Sequence, residues 1–181
     1  MLELRKWVFL MVATLLLSAC AAPTQVQSNK AEFYTAEPKR IFIVTDIGHE
    51  FGQEFFSAFA QKFNAIVSNC GADSQISTIS SLELDESIHE KKMEAFGADT
   101  ALSVKIKGVT STQNTKVIIN VIYDARLVDL NTKKMVWRAN FNFYRGGTAI
   151  PIAKRGEALA IDITNKMKED KIFQSCSVIK D

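Results

Sequence analysis

The 181-residue sequence has few of the residues from which catalytic and metal centres are built. It contains two histidines and three cysteines, and the cysteines do not have the spacing of a zinc site. It also lacks a glycine-rich phosphate loop and a nucleophile elbow. These absences leave no motif for a nucleotide-binding protein, a zinc protein or an α/β-type hydrolase, and we expect no cofactor.

An excess of charge is also missing. The chain has 22 basic and 20 acidic residues, so it carries no basic field of the size that nucleic acid binding requires. It has no internal repeat and no low-complexity block. Apolar residues make up 47% of the chain, which is typical of a globular protein.

The amino terminus has the pattern of a secretory signal. Arg5 and Lys6 precede an apolar run from Trp7 to Leu16, and small residues follow before Cys20. The run is shorter than the ~20 apolar residues that a membrane-spanning helix needs. The two alternatives are an ordinary signal peptide cut after Ala19 or Ala21 and an uncleaved amino-terminal anchor.

The last four residues of this segment, Leu-Ser-Ala-Cys, resemble the lipobox of bacterial lipoproteins. In that family the chain is cut before the cysteine, which then receives a lipid. The resemblance implies a signal peptide over residues 1–19 and lipidation of Cys20. Sorting in the same family implies the outer membrane, because Ala21 and not an aspartate follows the cysteine.

The other two cysteines, Cys70 and Cys176, form one possible pair. An exported domain folds in an oxidising compartment, so we predict a disulfide between them. The alternative is two buried free thiols, which behave as small hydrophobic groups.

Residues 20–39 are polar and carry two prolines, so we interpret them as the lipidated cysteine and a flexible tether. A single globular domain over residues 40–181 follows. Its apolar patterns predict strands and helices in the order β-α-β-α-β-β-β-α. We therefore expect an α/β (α+β) fold, with helices packed on one face of a mixed, largely antiparallel sheet. The predicted helices cover residues 51–69, 86–96 and 151–168, and the strands cover 40–45, 73–84, 101–109, 116–129 and 135–145.

One small cluster could carry chemistry. Asp46, His49 and Glu50 lie together at a strand-to-helix junction, where they could bind a metal ion or act as acid–base groups. A polar loop with a capping acid is the simpler interpretation. His89 lies on a short predicted surface helix among charged residues, and we expect it to face solvent.

A larger candidate surface comes from the alternation of the three consecutive strands. One side is apolar, and the other carries basic, amide and aromatic side chains suited to recognising a protein or a glycan. An ordinary solvated sheet face is the alternative. The predicted binding residues are Asn120, Arg126, Arg138, Asn140, Asn142 and Tyr144.

The segments 123–129 and 134–139, joined by an Asp-x-x-Thr turn, resemble paired strands of small bacterial envelope lipoproteins. In element order the mature domain is similar to peptidoglycan-synthase activator lipoproteins and to the amino-terminal domain of the Tol translocation protein. It is less similar to auxiliary lipoproteins of ABC-type lipid transport systems. The resemblance implies a lipid-anchored, non-enzymatic adaptor that faces the periplasm and binds an envelope protein, not nucleic acid. The alternative function is a periplasmic enzyme or metal-binding protein that uses Asp46, His49 and Glu50.

Overall fold

The computed structural model describes residues 24–80, 82–85, 87–113, 117–143 and 150–176, with backbone alone for 49, 111–113 and 117–119. The predicted signal peptide, the predicted lipidation site Cys20 and the predicted binding residue Tyr144 lie outside these residues. The lipid anchor therefore stays a prediction.

Within these ranges, six strands form one mixed sheet in the spatial order β1-β6-β5-β4-β2-β3. Strand β2 is parallel to both of its neighbours, and the other three pairs are antiparallel. The fold class predicted from the sequence is confirmed. The strands are β1 (Gln25–Lys30), β2 (Arg40–Thr45), β3 (Asp73–Thr78), β4 (Thr100–Gln113), β5 (Val117–Asp129) and β6 (Lys134–Phe143).

Two long helices cover one face of the sheet. The described helices are α1 (Ile47–Glu50), α2 (Gly52–Asn69), α3 (Ser87–Phe96) and α4 (Ile152–Glu169). Phe55, Phe59 and Phe63 recur every four residues along α2 and are buried, as their spacing predicts. Helix α4 packs directly against α2 at Gly156, where an added Cβ would lie 2.3 Å from the carbonyl oxygen of Phe55. A larger residue there would push the two helices apart.

The short helix α3 lies on the other face, so the expectation that the helices pack on one face is right for α2 and α4 and wrong for α3. Helix α2 joins β2 to β3, and α3 then leads back past β2 to β4, so the direction of travel across the sheet reverses. Because parallel crossovers are right-handed, this reversal places the two helices on opposite faces. The side chains of β2 are consistent with helices on opposite faces. Ile41 and Ile43 belong to the main core, whereas Phe42, between them, contacts Phe96 of α3.

Strand β1 corrects the interpretation of residues 20–39 as a flexible tether. It pairs with β6 from Gln25 opposite Asn142 to Lys30 opposite Trp137, and Tyr34 just after it is buried. The strand has a single apolar residue, Val26, so its sequence carries no alternating apolar pattern. Its stability comes from the hydrogen-bonded ladder with β6, which a local sequence pattern cannot reveal.

The directions of the strands define two ends of the sheet. The Gln25 end holds the start of β1, the carboxyl ends of β2, β3 and β6, and the first residues of α3 and α4. The disulfide end holds the opposite termini, including the ends of α2 and α4. Both names are used below in this sense.

The disulfide end is fastened by several long-range contacts. Cys70, after α2, forms the predicted disulfide with Cys176 in the carboxyl-terminal segment. The carboxylate of Glu37 accepts hydrogen bonds from the backbone N–H groups of Gln174 and Ser175, at 2.9 and 3.2 Å, and from the Ser175 hydroxyl at 2.7 Å. These contacts hold the chain that follows α4 against the body.

Candidate functional site

The sheet has one polar side, which we call the open face. It is the side of β1, β6, β5 and β4 that points away from α2 and α4. The strand register aligns Gln27, Asn140, Asp124 and Lys105 in one row across these four strands. The open face comprises Gln25, Gln27, Asn29, Ser103, Lys105, Lys107, Asn120, Ile122, Asp124, Arg126, Arg138, Asn140 and Asn142.

Asp124 lies near the centre of the open face between two arginines. Arg138 donates from Nε to one carboxylate oxygen at 2.9 Å, and Arg126 donates from Nε to the other. Burial alone would raise the pKa of Asp124, but the hydrogen bonds from Arg138 and Arg126 outweigh it and lower that pKa below its ordinary value. The carboxylate is therefore charged at neutral pH and fixes both guanidinium groups on the surface.

The arginines remain accessible to a partner. The side chains of Arg126 and Arg138 are 46% and 43% exposed. The Asp124 contacts use one N–H of each guanidinium, which has five donors. The open face also carries Lys105 and Lys107, both exposed, so four cations share it with one carboxylate. This imbalance favours an acidic partner.

A shallow groove of about 380 Å³ crosses the β1 side of the open face. Amide side chains of β1 and β6 form most of its lining, together with one lysine and one isoleucine. Amides donate and accept hydrogen bonds, so such a lining suits a polar ligand or a peptide backbone. The groove is lined by Gln25, Gln27, Lys107, Ile122, Asn140 and Asn142.

One atom beside this groove has an unmet hydrogen-bonding capacity. The Oδ1 atom of Asn140 is buried, and no donor reaches it from the part of the chain that the structure describes. A buried acceptor without a donor costs ~1–3 kcal/mol.

The structure brings together five of the six predicted binding residues. Asn120, Arg126, Arg138, Asn140 and Asn142 share the open face, and Tyr144 lies outside the described residues. Their role in binding stays a prediction. Sequence reasoning misses Gln25 and Gln27, because the strand that carries them has the polar composition of a tether.

The second predicted cluster surrounds α1. The carboxylate of Asp46 accepts from the backbone N–H of Ile106, at 3.1 and 3.3 Å to its two oxygens, next to the bulge in β4. Glu50 is exposed, and the side chain of His49 lies outside the described part. Among the described residues no group of three potential metal ligands occurs. Asp46 thus has a structural role in joining the β2–α1 connection to β4.

The expectation that His89 faces solvent is wrong. Its Nδ1 lies 3.0 Å from the hydroxyl of Ser77 on β3, and its Nε2 lies 2.7 Å from the carboxylate of Glu83. Serine, histidine and acid are the groups of a hydrolytic triad, but Ser77 is 6% exposed within a paired strand. The cluster fastens the β3–α3 loop to α3. No sequence signal links these residues, since the crossover brings them together.

No family model and no curated protein matches the sequence. Several solved structures are similar to the structure of this chain. A PelC dodecamer from Paraburkholderia phytofirmans has 14% sequence identity and a TM-score of 0.50, with 75% of this chain and 92% of that chain covered. Lipoprotein GNA1162 from Neisseria meningitidis has 17% identity and a TM-score of 0.41 over 73% and 99%. A minor lipoprotein from Acinetobacter baumannii has 7% identity and a TM-score of 0.33 over 74% and 94%.

These similarities concern the fold. At 14% identity, the first of them shows a shared arrangement of sheet and helices and says nothing about a shared site. The resemblance to synthase activators and to the Tol domain stays a prediction. None of the helices in the described ranges combines the length and the apolar character needed to span a bilayer.

Proposed function

We propose that this protein is a lipid-anchored envelope protein that works by binding and not by catalysis. Cys20 carries the lipid, the outer membrane holds the chain, and the body faces the periplasm. The observation that carries the binding role is the open face, where four cations and a row of amides surround one fixed carboxylate.

The chemistry of the open face supports a protein partner with an acidic surface. Arginine is enriched at protein interfaces, and planar guanidinium groups bind carboxylates in a defined geometry. The Asp124 contacts already restrict both arginines, so less side-chain entropy is lost when a partner binds. Lys105 and Lys107 add long-range attraction, which raises the association rate.

Photocrosslinking in intact cells tests this proposal. A photoreactive residue at Arg126 or Asn140 should give a defined adduct with one envelope protein. The same residue at Gln61, on the exposed side of α2, is the control and should give none. If neither open-face position gives an adduct while the protein stays in the membrane fraction, the open face is not the binding surface.

The charge argument has its own test. Lys105→Glu with Lys107→Glu should reduce the Asn140 adduct severalfold, because both cations then repel an acidic partner. The matched control is Lys91→Glu with Lys92→Glu on α3, which makes the same change in net charge outside the open face. Equal loss in both pairs would mean that net charge and not the open face governs the association.

A further inference from the structure

The exposed apolar side chains are concentrated at one end of the molecule. Leu82 and Leu84, in the β3–α3 loop, are 85% and 100% exposed. Ile88 in the first turn of α3, Val109 beyond the bulge in β4 and Ile152 at the start of α4 are also exposed. All five belong to the Gln25 end. Among the described residues, the other large exposed hydrophobic side chains are Phe33 and Met135, at the disulfide end.

The two leucines are held outward by the loop itself. Glu83, between them, is bonded to His89, and the backbone N–H groups of Leu82 and Glu83 donate to Ser80. The loop therefore presents Leu82 and Leu84 while the carboxylate of Glu83 faces His89, and Asp85 next to Leu84 is exposed. Exposed apolar side chains at one end of a molecule are typical of a surface that contacts a membrane or another protein.

The position of β1 brings this end close to the anchor. The interpretation as a tether allowed nearly twenty flexible residues between Cys20 and the body, whereas β1 begins at Gln25. Five residue steps span about 18 Å at most when fully extended. The first residue of β1 thus stays within about 18 Å of the lipidated cysteine.

We infer that the Gln25 end is the membrane-facing end, with Leu82, Leu84 and Ile152 in contact with the bilayer that holds the lipid. This inference rests on the proposed lipid anchor. An apolar contact between the body and the bilayer adds to the attachment that the lipid provides. The open face then stands along the side of the body, where a periplasmic partner reaches it. The disulfide end points away from the bilayer.

An environment-sensitive fluorophore on the full-length, lipidated protein in phospholipid vesicles tests the orientation. Leu84→Cys is labelled without reduction, since Cys20 is acylated and Cys70 and Cys176 are bonded to each other. Phe33→Cys is the matched control, because Phe33 is also an exposed hydrophobic residue (61%) but lies at the disulfide end. Unchanged circular dichroism and unfolding midpoints establish that both variants are folded.

The Leu84 probe should shift its emission to shorter wavelength on vesicle binding and be quenched severalfold more by spin-labelled lipid than the Phe33 probe. Equal quenching at both sites, stronger quenching at Phe33, or no quenching at either site in protein that floats with the vesicles would overturn the orientation. Protein that does not float and has no acyl mass would instead overturn the lipid anchor, and the orientation with it. Flotation therefore separates the two failures.

Discussion

The Gln25 end and the disulfide end of the sheet differ in how firmly their outermost segments are held. At the disulfide end, contacts between residues distant in sequence hold the chain: Cys70 bonds Cys176, Glu37 binds the segment after α4, and the indole of Trp137 donates to Asp170 at 2.7 Å. At the Gln25 end, Asp46 also binds the distant backbone of Ile106, but the β3–α3 loop is held by the Ser77–His89–Glu83 chain, whose residues are at most twelve positions apart. Two leucines of this loop are exposed to water. The comparison separates an end that stabilises the fold from an end that is available for contact.

The largest expected effect is at the disulfide end. Replacing both Cys70 and Cys176 with serine opens a loop whose ends are 106 residues apart, and the chain-entropy model assigns ~4–5 kcal/mol to such a closure. We expect a loss of this order in the free energy of unfolding, measured by urea denaturation. Wild-type protein treated with a reducing agent is the control and should match the variant. Equal stability of the oxidised protein and the variant would refute the stabilising role of the disulfide.

Acid should weaken the same end. Burial alone would raise the pKa of Asp170, but hydrogen bonds from Ser28, Trp137 and Lys166 lower it below the ordinary value of 3.8. The folded pKa is therefore lower than the unfolded one, and the charged carboxylate stabilises the fold above pH 3.8. That contribution is lost as the pH falls through the folded pKa.

Asp170→Asn should thus lower the free energy of unfolding at pH 7 by ~1–2 kcal/mol and should reduce the further loss as the pH falls below the ordinary pKa of 3.8. Denaturation at several pH values measures both quantities. Glu50→Gln removes an exposed carboxylate at the Gln25 end and is the control for the change in net charge, and we expect it to have the wild-type free energy of unfolding at pH 7. An unchanged acid slope in Asp170→Asn would show that other carboxylates govern the acid response.

The smallest effect is expected at the Gln25 end. Leu84→Ala should change the free energy of unfolding by no more than ~0.5 kcal/mol, because the side chain is in water in the folded protein as well. Leu159→Ala, the same substitution at a fully buried position of α4, is the comparison and should cost ~2–5 kcal/mol. A large loss in Leu84→Ala would mean that this leucine stabilises the fold and is not a contact residue.

Helix α2 and the central strands show what a sequence pattern can predict. The spacing of Phe55, Phe59 and Phe63 predicts a buried helix face, which the structure confirms. The alternation along β5 and β6 correctly separates Asp124, Arg126 and their neighbours from the core. Both predictions succeed because burial on one face imposes a regular period on nearby residues.

Strand β1 and His89 show where such reasoning fails. Residues 25–30 have a composition typical of a linker, and they form a strand because β6 supplies a partner. His89 was assigned to solvent from its charged neighbours, whereas the crossover from β3 brings Ser77 and Glu83 to it. In both cases the contacting residues lie outside the short segment from which the prediction was made, so the pattern of that segment does not predict the contact.

By itself the sequence determined the long helices, the two sides of the central strands and the cysteine pair. The helices and strands give a regular spacing of apolar residues, and the pair follows from the number of cysteines. Only the tertiary structure decided that β1 shortens the link to Cys20 and that its start shares one end with Leu82 and Leu84. That arrangement depends on strand order and direction, which follow from hydrogen bonding and packing between segments far apart in the chain.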